Sequence, residues 1–460
     1  MKKQKIDFVI SYENWQRELY GCTLLKLELE RRGYTVKMDH FPVDNTLSPY
    51  RRQWAPKVVI YPFLYADGCV RQAISFGKRP ENIINLQSEQ ILSDFTVQWR
   101  PKMPTGDAKY GYHVCWGEKT KERMSAAGVP ESNLKVVGNI HLDIDREEYR
   151  NLFFTKEDWA KKYDLDVNKP WIMFFSNFKY ARMNQEDIDE YIAWAPERLK
   201  GLAAKRFEEA PGECEGTLGI LYDFIKRNPD VLIIYRYHPA EMKKEEELIK
   251  KMKEMPDSFR CINDGTIQDW IPACDMFLTT DSTSMTDVIM QKKPFGLIET
   301  REHNEAFWAD TYRGATKIGS VNELENAVEA GRDYYPLADG IFEHSIVNTT
   351  EGKKAYEALA DYAEEIYNKK AYRFRPKPEP RQLNMFMELR LAYRYVKDFV
   401  YRNPIKRLVI VPNLDNEAAD TEKLDKLMKK MYCTHSVEKH RSQLEREKAY
   451  EERLRPFFEK

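Results

Sequence analysis

Two strand-to-turn junctions hold the residues best suited to chemistry. In the first, an apolar run over residues 231–235 ends in Arg236, Tyr237 and His238 before Pro239. Alternate residues of a strand share a face, so the Arg236 guanidinium and the His238 imidazole should project together. Both can donate hydrogen bonds to the oxygens of a diphosphate. Pro239 stops the strand and frees the turn. In the second, residues 276–280 run into Asp281, Ser282, Thr283 and Ser284 ahead of a helical pattern. Ser284 and Asp287 have capping-box spacing, and a helix N-terminus favours a phosphate. The three hydroxyls would add donors. Each junction alone also suits an ordinary strand end or a well-capped helix. Two in the same half of the chain point to one shared anion.

Positioning these junctions calls for parallel sheets. Residues 7–12, 33–40, 57–63, 82–87, 112–117 and 134–139 read as strands. Between the first two, residues 17–32 read as a helix with Leu19, Leu24, Leu25, Leu27 and Leu29 on a broad apolar face. A charged stretch at 150–170 precedes a second series: 171–177, 231–239, 259–264, 276–280, 294–299 and 316–320. Strands alternating with helices read as βαβ units. The spacing therefore predicts two Rossmann-like α/β domains, 1–150 and 165–345, with a loop at 211–216 breaking a long helical insert. A return helix over 346–372 and a helical C-terminal extension over 373–460 complete the chain. The extension opens on a basic, proline-rich linker (373–381), holds an amphipathic segment (384–402) and ends in a charged tail.

Bulk properties exclude several function classes. The 460 residues carry 73 Lys and Arg against 74 Asp and Glu, a net charge of −1, so no global field argues for nucleic acid. Seven cysteines lack CxxC or Cys/His metal spacing and read as reduced thiols. Neither a signal-peptide pattern nor an apolar run of membrane-spanning length occurs. A cytoplasmic protein is expected.

The stretch TTDSTSMTDVIMQKKPFG, from Thr279 to Gly296, resembles the TD-x-SS-x-x-x-D-x-x-x-x-x-KP segment of the CDP-glycerol glycerophosphotransferase family, which builds teichoic acids on a GT-B fold. YRYHP resembles that family's histidine-proline turn. VVGNIHLDID is similar to its G-x-P-R-x-D segment, with Ile140 and His141 in place of proline and arginine. Arg17 and Glu18 resemble the Arg-Glu pair that precedes a leucine-rich helix in a wider group of surface-carbohydrate biosynthesis proteins. The resemblance follows the order of elements over roughly residues 5–345. It implies two domains facing a central cleft, with the donor on the C-terminal half and the acceptor on the N-terminal half. Arg236, His238, Ser282, Thr283 and Ser284 would then hold donor phosphates, with Asp281 orienting the turn. Side-chain donors and a helix dipole would stand in for a metal, so no cofactor is expected. Asp143 and Asp145 form a DxD by spacing alone, a pattern common in so acidic a chain.

The acceptor hydroxyl needs a general base. Glu89, after the strand at 82–87, is the first candidate and Glu18 the second, with His40 and His141 at other strand ends; His238 is a third catalytic candidate. His113 reads as structural and His303 as able to approach the donor, while His344, His435 and His440 lie outside the site. The 384–402 stripe suits core packing or, with Arg390, Arg394 and Lys397 beside it, contact with anionic lipid. The expected activity is transfer of a sugar or polyol phosphate from a nucleotide-activated donor to a glycan or lipid-linked acceptor in bacterial surface-polysaccharide (capsule or teichoic acid-like) synthesis. A UDP-sugar 2-epimerase-like enzyme and a non-catalytic scaffold are the alternatives.

Overall fold

The computed structural model describes residues 3–40, 53–76, 81–99, 103–238, 241, 255–301, 304–348, 352–377 and 437–459, with side chains from 442 in the last stretch. Pro239, His303, the segment 384–402, His435 and the His440 side chain lie outside that description. The chain divides into two compact units. Unit 1 comprises Met1–Ser88, Met103–His141 and Lys353–Lys460; unit 2 comprises Glu89–Lys102 and Leu142–Gly352.

Each unit is built on a six-stranded, wholly parallel sheet. In unit 1, β1 (Gln4–Tyr12), β2 (Val36–His40), β3 (Trp54–Tyr61), β4 (Asn82–Asn85), β5 (Tyr112–Cys115) and β6 (Leu134–Val136) lie in the order β2-β1-β3-β4-β5-β6. In unit 2, β7 (Trp171–Phe175), β8 (Leu232–Arg236), β9 (Phe259–Cys261), β10 (Met276–Thr279), β11 (Phe295–Ile298) and β12 (Lys317–Ile318) lie in the order β12-β11-β10-β7-β8-β9. Strands covered on both faces read as near-continuous apolar runs, and all five residues of β7 are buried.

Helix α1 (Trp15–Arg31) starts where the Asn14 side chain accepts from the Gln16 N–H, and every residue from Glu18 to Leu29 is buried. A helix buried all round needs cover on more than one side. The helices Ala355–Asn368 and Val437–Leu454 both pack on α1. The second is held by polar contacts. Tyr12 donates to Glu447 at 2.6 Å, Gln443 donates to Tyr12 at 2.7 Å, and Lys26 pairs with Glu451 at 2.9 Å. The helical C-terminal region expected from the sequence is present, and the return helix and the described part of the tail pack within unit 1. The boundary near 150 likewise moves to 141–142, and residues 89–102 join unit 2.

Residues 211–216 do not form the loop their Pro and Gly content suggests. A 28-residue helix, Lys200–Arg227, runs through Pro211; we label it α7, after α2 (Asp67–Ala73), α3 (Asp94–Trp99), α4 (Glu118–Ala126), α5 (Lys156–Tyr163) and α6 (Gln185–Trp194). Its buried stripe, including Phe207, Ala210, Cys214, Leu221 and Phe224, continues on both sides of the proline and overrides its local preference. The glycines serve packing. A Cβ at Gly212 would meet the Arg301 guanidinium at 2.5 Å, and one at Gly216 would meet Thr300 Oγ1 at 2.8 Å. Among the described residues, no helix is long and apolar enough to cross a membrane.

An interior proline costs a helix about 3 kcal/mol. Pro211→Ala should therefore stabilise the protein by about 1–3 kcal/mol in urea denaturation; a loss of stability would show that the proline is needed where it stands.

Candidate anion-binding site of unit 2

Open parallel sheets bind ligands beyond the carboxyl ends of the strands, at the point where strand order reverses. In unit 2 the chain builds outward from β7 through β8 to β9, then returns to the other side of β7 with β10. The reversal therefore lies between β7 and β10. The turn after β7 carries Ser176, Asn177 and Lys179, and the turn after β10 carries Asp281, Ser282 and Thr283.

A buried carboxylate fixes the β7 and β8 turns together. The Glu241 side chain is fully buried and lies 3.3 Å from Arg182. Its Oε1 accepts from the Ser176 hydroxyl, from the Phe178 N–H at 3.0 Å and from the His238 N–H at 3.3 Å. On the β10 side, Asp281 accepts from Asn177 Nδ2 at 2.6 Å and from Arg206 Nη2 of α7 at 3.3 Å. Arg206 also lies 5.6 Å from the Tyr180 ring centre and 5.0 Å from that of Phe307.

These groups line a cavity of ≈ 160 Å³. Its polar wall is Asn177, Lys179, Arg206, Asp281 and Thr283; Tyr180, Tyr191, Phe207 and Phe307 give it ring faces. The stretch 89–102 closes one side with Ile91, Ser93, Phe95 and Thr96. Lys179 has no carboxylate partner among the described residues; its ammonium lies 4.9 Å over the Tyr180 ring. Arg206 is balanced by Asp281 and, at 4.0 Å, by Glu213, which leaves Lys179 as the cation of the lining without a carboxylate partner among the described residues. Asn177 Oδ1 is buried with no hydrogen-bond partner among the described residues. The cavity thus offers an ammonium and a hydroxyl to an anionic group, and the Asn177 carbonyl to a hydrogen-bond donor beside it.

The sequence-predicted residues divide. Asp281 and Thr283 line the cavity. His238 is half-buried, and burial with the nearby Lys179 charge lowers its pKa to about 4, which leaves a neutral imidazole at pH 7. Arg236 turns its donors elsewhere: Nη1 donates to the Asp264 carbonyl at 2.7 Å and Nη2 to the Gly265 carbonyl. Ser282 is engaged in the turn, where its Oγ accepts from the Ser284 N–H at 3.3 Å and its carbonyl from Tyr312 at 2.8 Å. The expected capping box is absent. Ser284 makes no side-chain cap bond, and the helix Met285–Met290 has only six residues. Asp287 faces the interior instead, accepting from Gln268.

In unit 1, the buried Glu18 binds Arg17 at 2.6 Å and accepts from the Glu13 N–H at 2.8 Å. His141 is buried, and burial followed by the Arg17 charge brings its pKa down to about 3. His113 is fully buried beside Asn85 Nδ2, 2.9 Å from Nδ1. Half-buried Glu89 lies on the stretch that closes the unit 2 cavity. Asn177, Lys179, Arg206 and Glu241 were missed by sequence reasoning. The last stands three residues beyond His238, but Ser176, Phe178 and Arg182 reach it from the turn after β7.

The DxD pair is internal. Asp143 and Asp145 are buried, and Asp145 feels the Asp287 carboxylate nearby. Burial, then the neighbouring carboxylate, raises Asp145, and burial raises Asp287 from 3.8 to about 6. Among the described residues, no group of three or more His, Cys, Asp or Glu is placed to hold a metal ion.

Two outcomes follow from this geometry. Glu241→Ala leaves the partly buried Arg182 and the Phe178 and His238 N–H groups without their carboxylate, a loss of about 2–4 kcal/mol; chemical denaturation showing a change under 1 kcal/mol (about a fivefold change in the folding constant) would contradict the clamp. Because the Asp287 pKa is raised on folding, the native state holds a proton that the unfolded chain releases, and wild-type stability should fall as pH rises from about 4 through 6. Asp287→Asn removes this loss, so its stability relative to wild type should grow by on the order of 1–3 kcal/mol between pH 4 and 7; pH-independent parity would refute the raised Asp287 pKa.

No protein family matches the chain's sequence, nor does any curated protein. Solved structures do. The wall teichoic acid polymerase TagF is 12% identical, with a TM-score of 0.50 over 78% of this chain and 88% of that one. A second TagF structure is 11% identical, with a TM-score of 0.51 over 79% and 90%. UDP-GlcNAc 2-epimerase from Neisseria meningitidis is 13% identical, with a TM-score of 0.47 over 79% and 99%. With the two parallel sheets, the TagF likeness establishes the fold of the chain: two Rossmann-like α/β units of the GT-B class.

Proposed function

We propose that this chain is a GT-B transferase of surface-polysaccharide synthesis that moves a sugar or polyol phosphate from a nucleotide-activated donor to a glycan or lipid-linked acceptor. One observation carries the reading: a ring-lined cavity holding the Lys179 ammonium stands at the strand-order reversal of unit 2, with Asn177, Arg206, Asp281 and Thr283 converging on it. At ≈ 160 Å³ it is smaller than the ~300–1,000 Å³ of a complete ligand pocket, and so suits one phosphate and the group beside it. The likeness to a polymerase of wall teichoic acid supports the substrate class. Membrane contact through 384–402 belongs to this reading, though that segment lies outside the described residues.

In the transfer, an acceptor hydroxyl oxygen bonds to the transferred centre as that centre's bond to the nucleotide phosphate oxygen breaks. The leaving oxygen takes the bonding pair, and the hydroxyl proton passes to a base. Lys179 and Thr283 meet the charge developing on the leaving phosphate without a divalent ion. Asp281 holds Arg206 and Asn177 in place. Glu89 is the first base in this account because it adjoins the cavity-closing stretch. Glu18 has one oxygen on Arg17 and the other on the Glu13 N–H. His238, neutral at pH 7, can take a proton or donate one hydrogen bond to phosphate.

Calorimetry with CMP, CDP, UDP and GDP should find a nucleotide that binds the wild type. Lys179→Ala should weaken it about tenfold or more, since a charge-assisted hydrogen bond contributes about 1.5–3 kcal/mol. Binding by none of the four, or undiminished binding by the variant, would overturn the site. Product analysis then tests the chemistry: a transferase consumes donor in step with acceptor, an epimerase converts donor alone, and a scaffold turns over neither.

A further inference from the structure

Unit 1 contains a second basic pocket that the proposed transfer does not use. The extended stretch Tyr372–Lys377 crosses α2 and, with it, encloses an open pocket of ≈ 490 Å³ lined by Arg71, Ile74, Ser75, Arg373, Phe374, Arg375 and Pro376. We propose that this pocket binds a phosphate group, carried either by a soluble phosphoester or by the head of an anionic lipid.

Three features carry the inference. The first is how firmly the wall is built. Phe374 is 3% exposed and packs into the unit 1 core with Val70, Ala73 and Ile74. Tyr372 stacks on Tyr110, with ring centres 5.0 Å apart. The second is the use of the nearby acids. Asp107 accepts from the Arg375 N–H and from the Tyr372 hydroxyl at 3.3 Å. Asp67 accepts from the Lys377 N–H at 3.1 Å and from the Asp107 N–H at 2.8 Å. Both carboxylates thus hold backbone, and neither forms an ion pair with Arg373 or Arg375. Among the described residues those two guanidiniums have no carboxylate partner, and both are exposed at the pocket. Arg71 donates to the Lys377 carbonyl and sets its positive charge on the α2 wall of the pocket.

The third feature is an unmet donor. Ser75 Oγ is buried in the lining and has no hydrogen-bond partner among the described residues, and a buried hydroxyl left unpaired is costly. A turn of the Ser75 side chain toward the pocket would bring this hydroxyl to a phosphate oxygen. Planar guanidiniums in a fixed arrangement match a phosphate better than ammonium groups do. A carboxylate ligand would use the same forks, but three arginines favour the greater charge and the three acceptor oxygens of a phosphate.

The test uses the full chain and two probes, because the unit 2 cavity is also expected to take phosphate. Pyrophosphate is titrated by calorimetry into wild type, into Lys179→Ala and into the double variant Arg373→Ala, Arg375→Ala. Binding that survives Lys179→Ala and weakens about tenfold or more in the double variant supports the pocket whether or not the unit 2 reading stands. Co-sedimentation with phosphatidylcholine vesicles, with and without phosphatidic acid, identifies the source: recruitment by phosphatidic acid that the double variant loses indicates a lipid head, and binding of pyrophosphate alone indicates a soluble ligand. Both altered arginines are exposed, so the double variant should melt with wild type; a matching double lysine variant that recovers only part of the affinity would confirm the role of the forks. Equal binding of both probes by wild type and the double variant, or no binding of either by wild type, overturns the proposal.

Discussion

The direction in which the second sheet grows constrains everything built on unit 2. Right-handed crossovers running outward from β7 on both sides place successive helices on opposite faces, so the turns after β7 and β10 diverge and leave a gap that neither fills. Glu241 then fixes one rim of the gap by binding the β7 and β8 turns through four contacts. Asp281 fixes the other by joining Asn177 and Arg206. A site whose walls are set before ligand arrives loses less on binding, and a phosphate entering here meets donors already in position.

Carboxylates recur in both units as holders of backbone. Glu18 accepts from the Glu13 N–H, Glu241 from those of Phe178 and His238, and Asp107 and Asp67 from those of Arg375 and Lys377. An acid committed to N–H groups does less to neutralise a cation nearby. A chain with net charge −1 can therefore present locally positive pockets around Lys179 in one unit and Arg373 and Arg375 in the other.

The strands and their division into two sheets were legible, because buried parallel strands are short apolar runs between polar turns. Asp281 and Thr283 were legible for the same reason: they follow such a run directly. Lys179 was not, since the turn after β7 looks like any other loop until the sheet order shows that β7 borders the reversal. Arg206 stands 75 residues before Asp281 on a helix whose continuity through Pro211 depends on packing that local propensity does not encode. The contacts of Arg236 were hidden for a related reason. Its position on the strand was right, but the carbonyls of Asp264 and Gly265 arrive from a distant turn. The leucine-rich α1 was plain in the sequence, whereas the tail helix that covers it reads as charged and solvated because hydroxyl, amide and ion-pair bonds supply many of its contacts, beside the Tyr20–Tyr450 ring pair and buried Leu454.

The central claim is that unit 2 grips its ligand between the turns after β7 and β10. An experimental structure of the protein soaked with the nucleotide of highest affinity tests this most directly. The account requires phosphate density within hydrogen-bond reach of the Lys179 ammonium and the Thr283 hydroxyl, with Asp281 still bound to Arg206. Phosphate density at another edge of the sheet, with Lys179 turned to solvent, would contradict it.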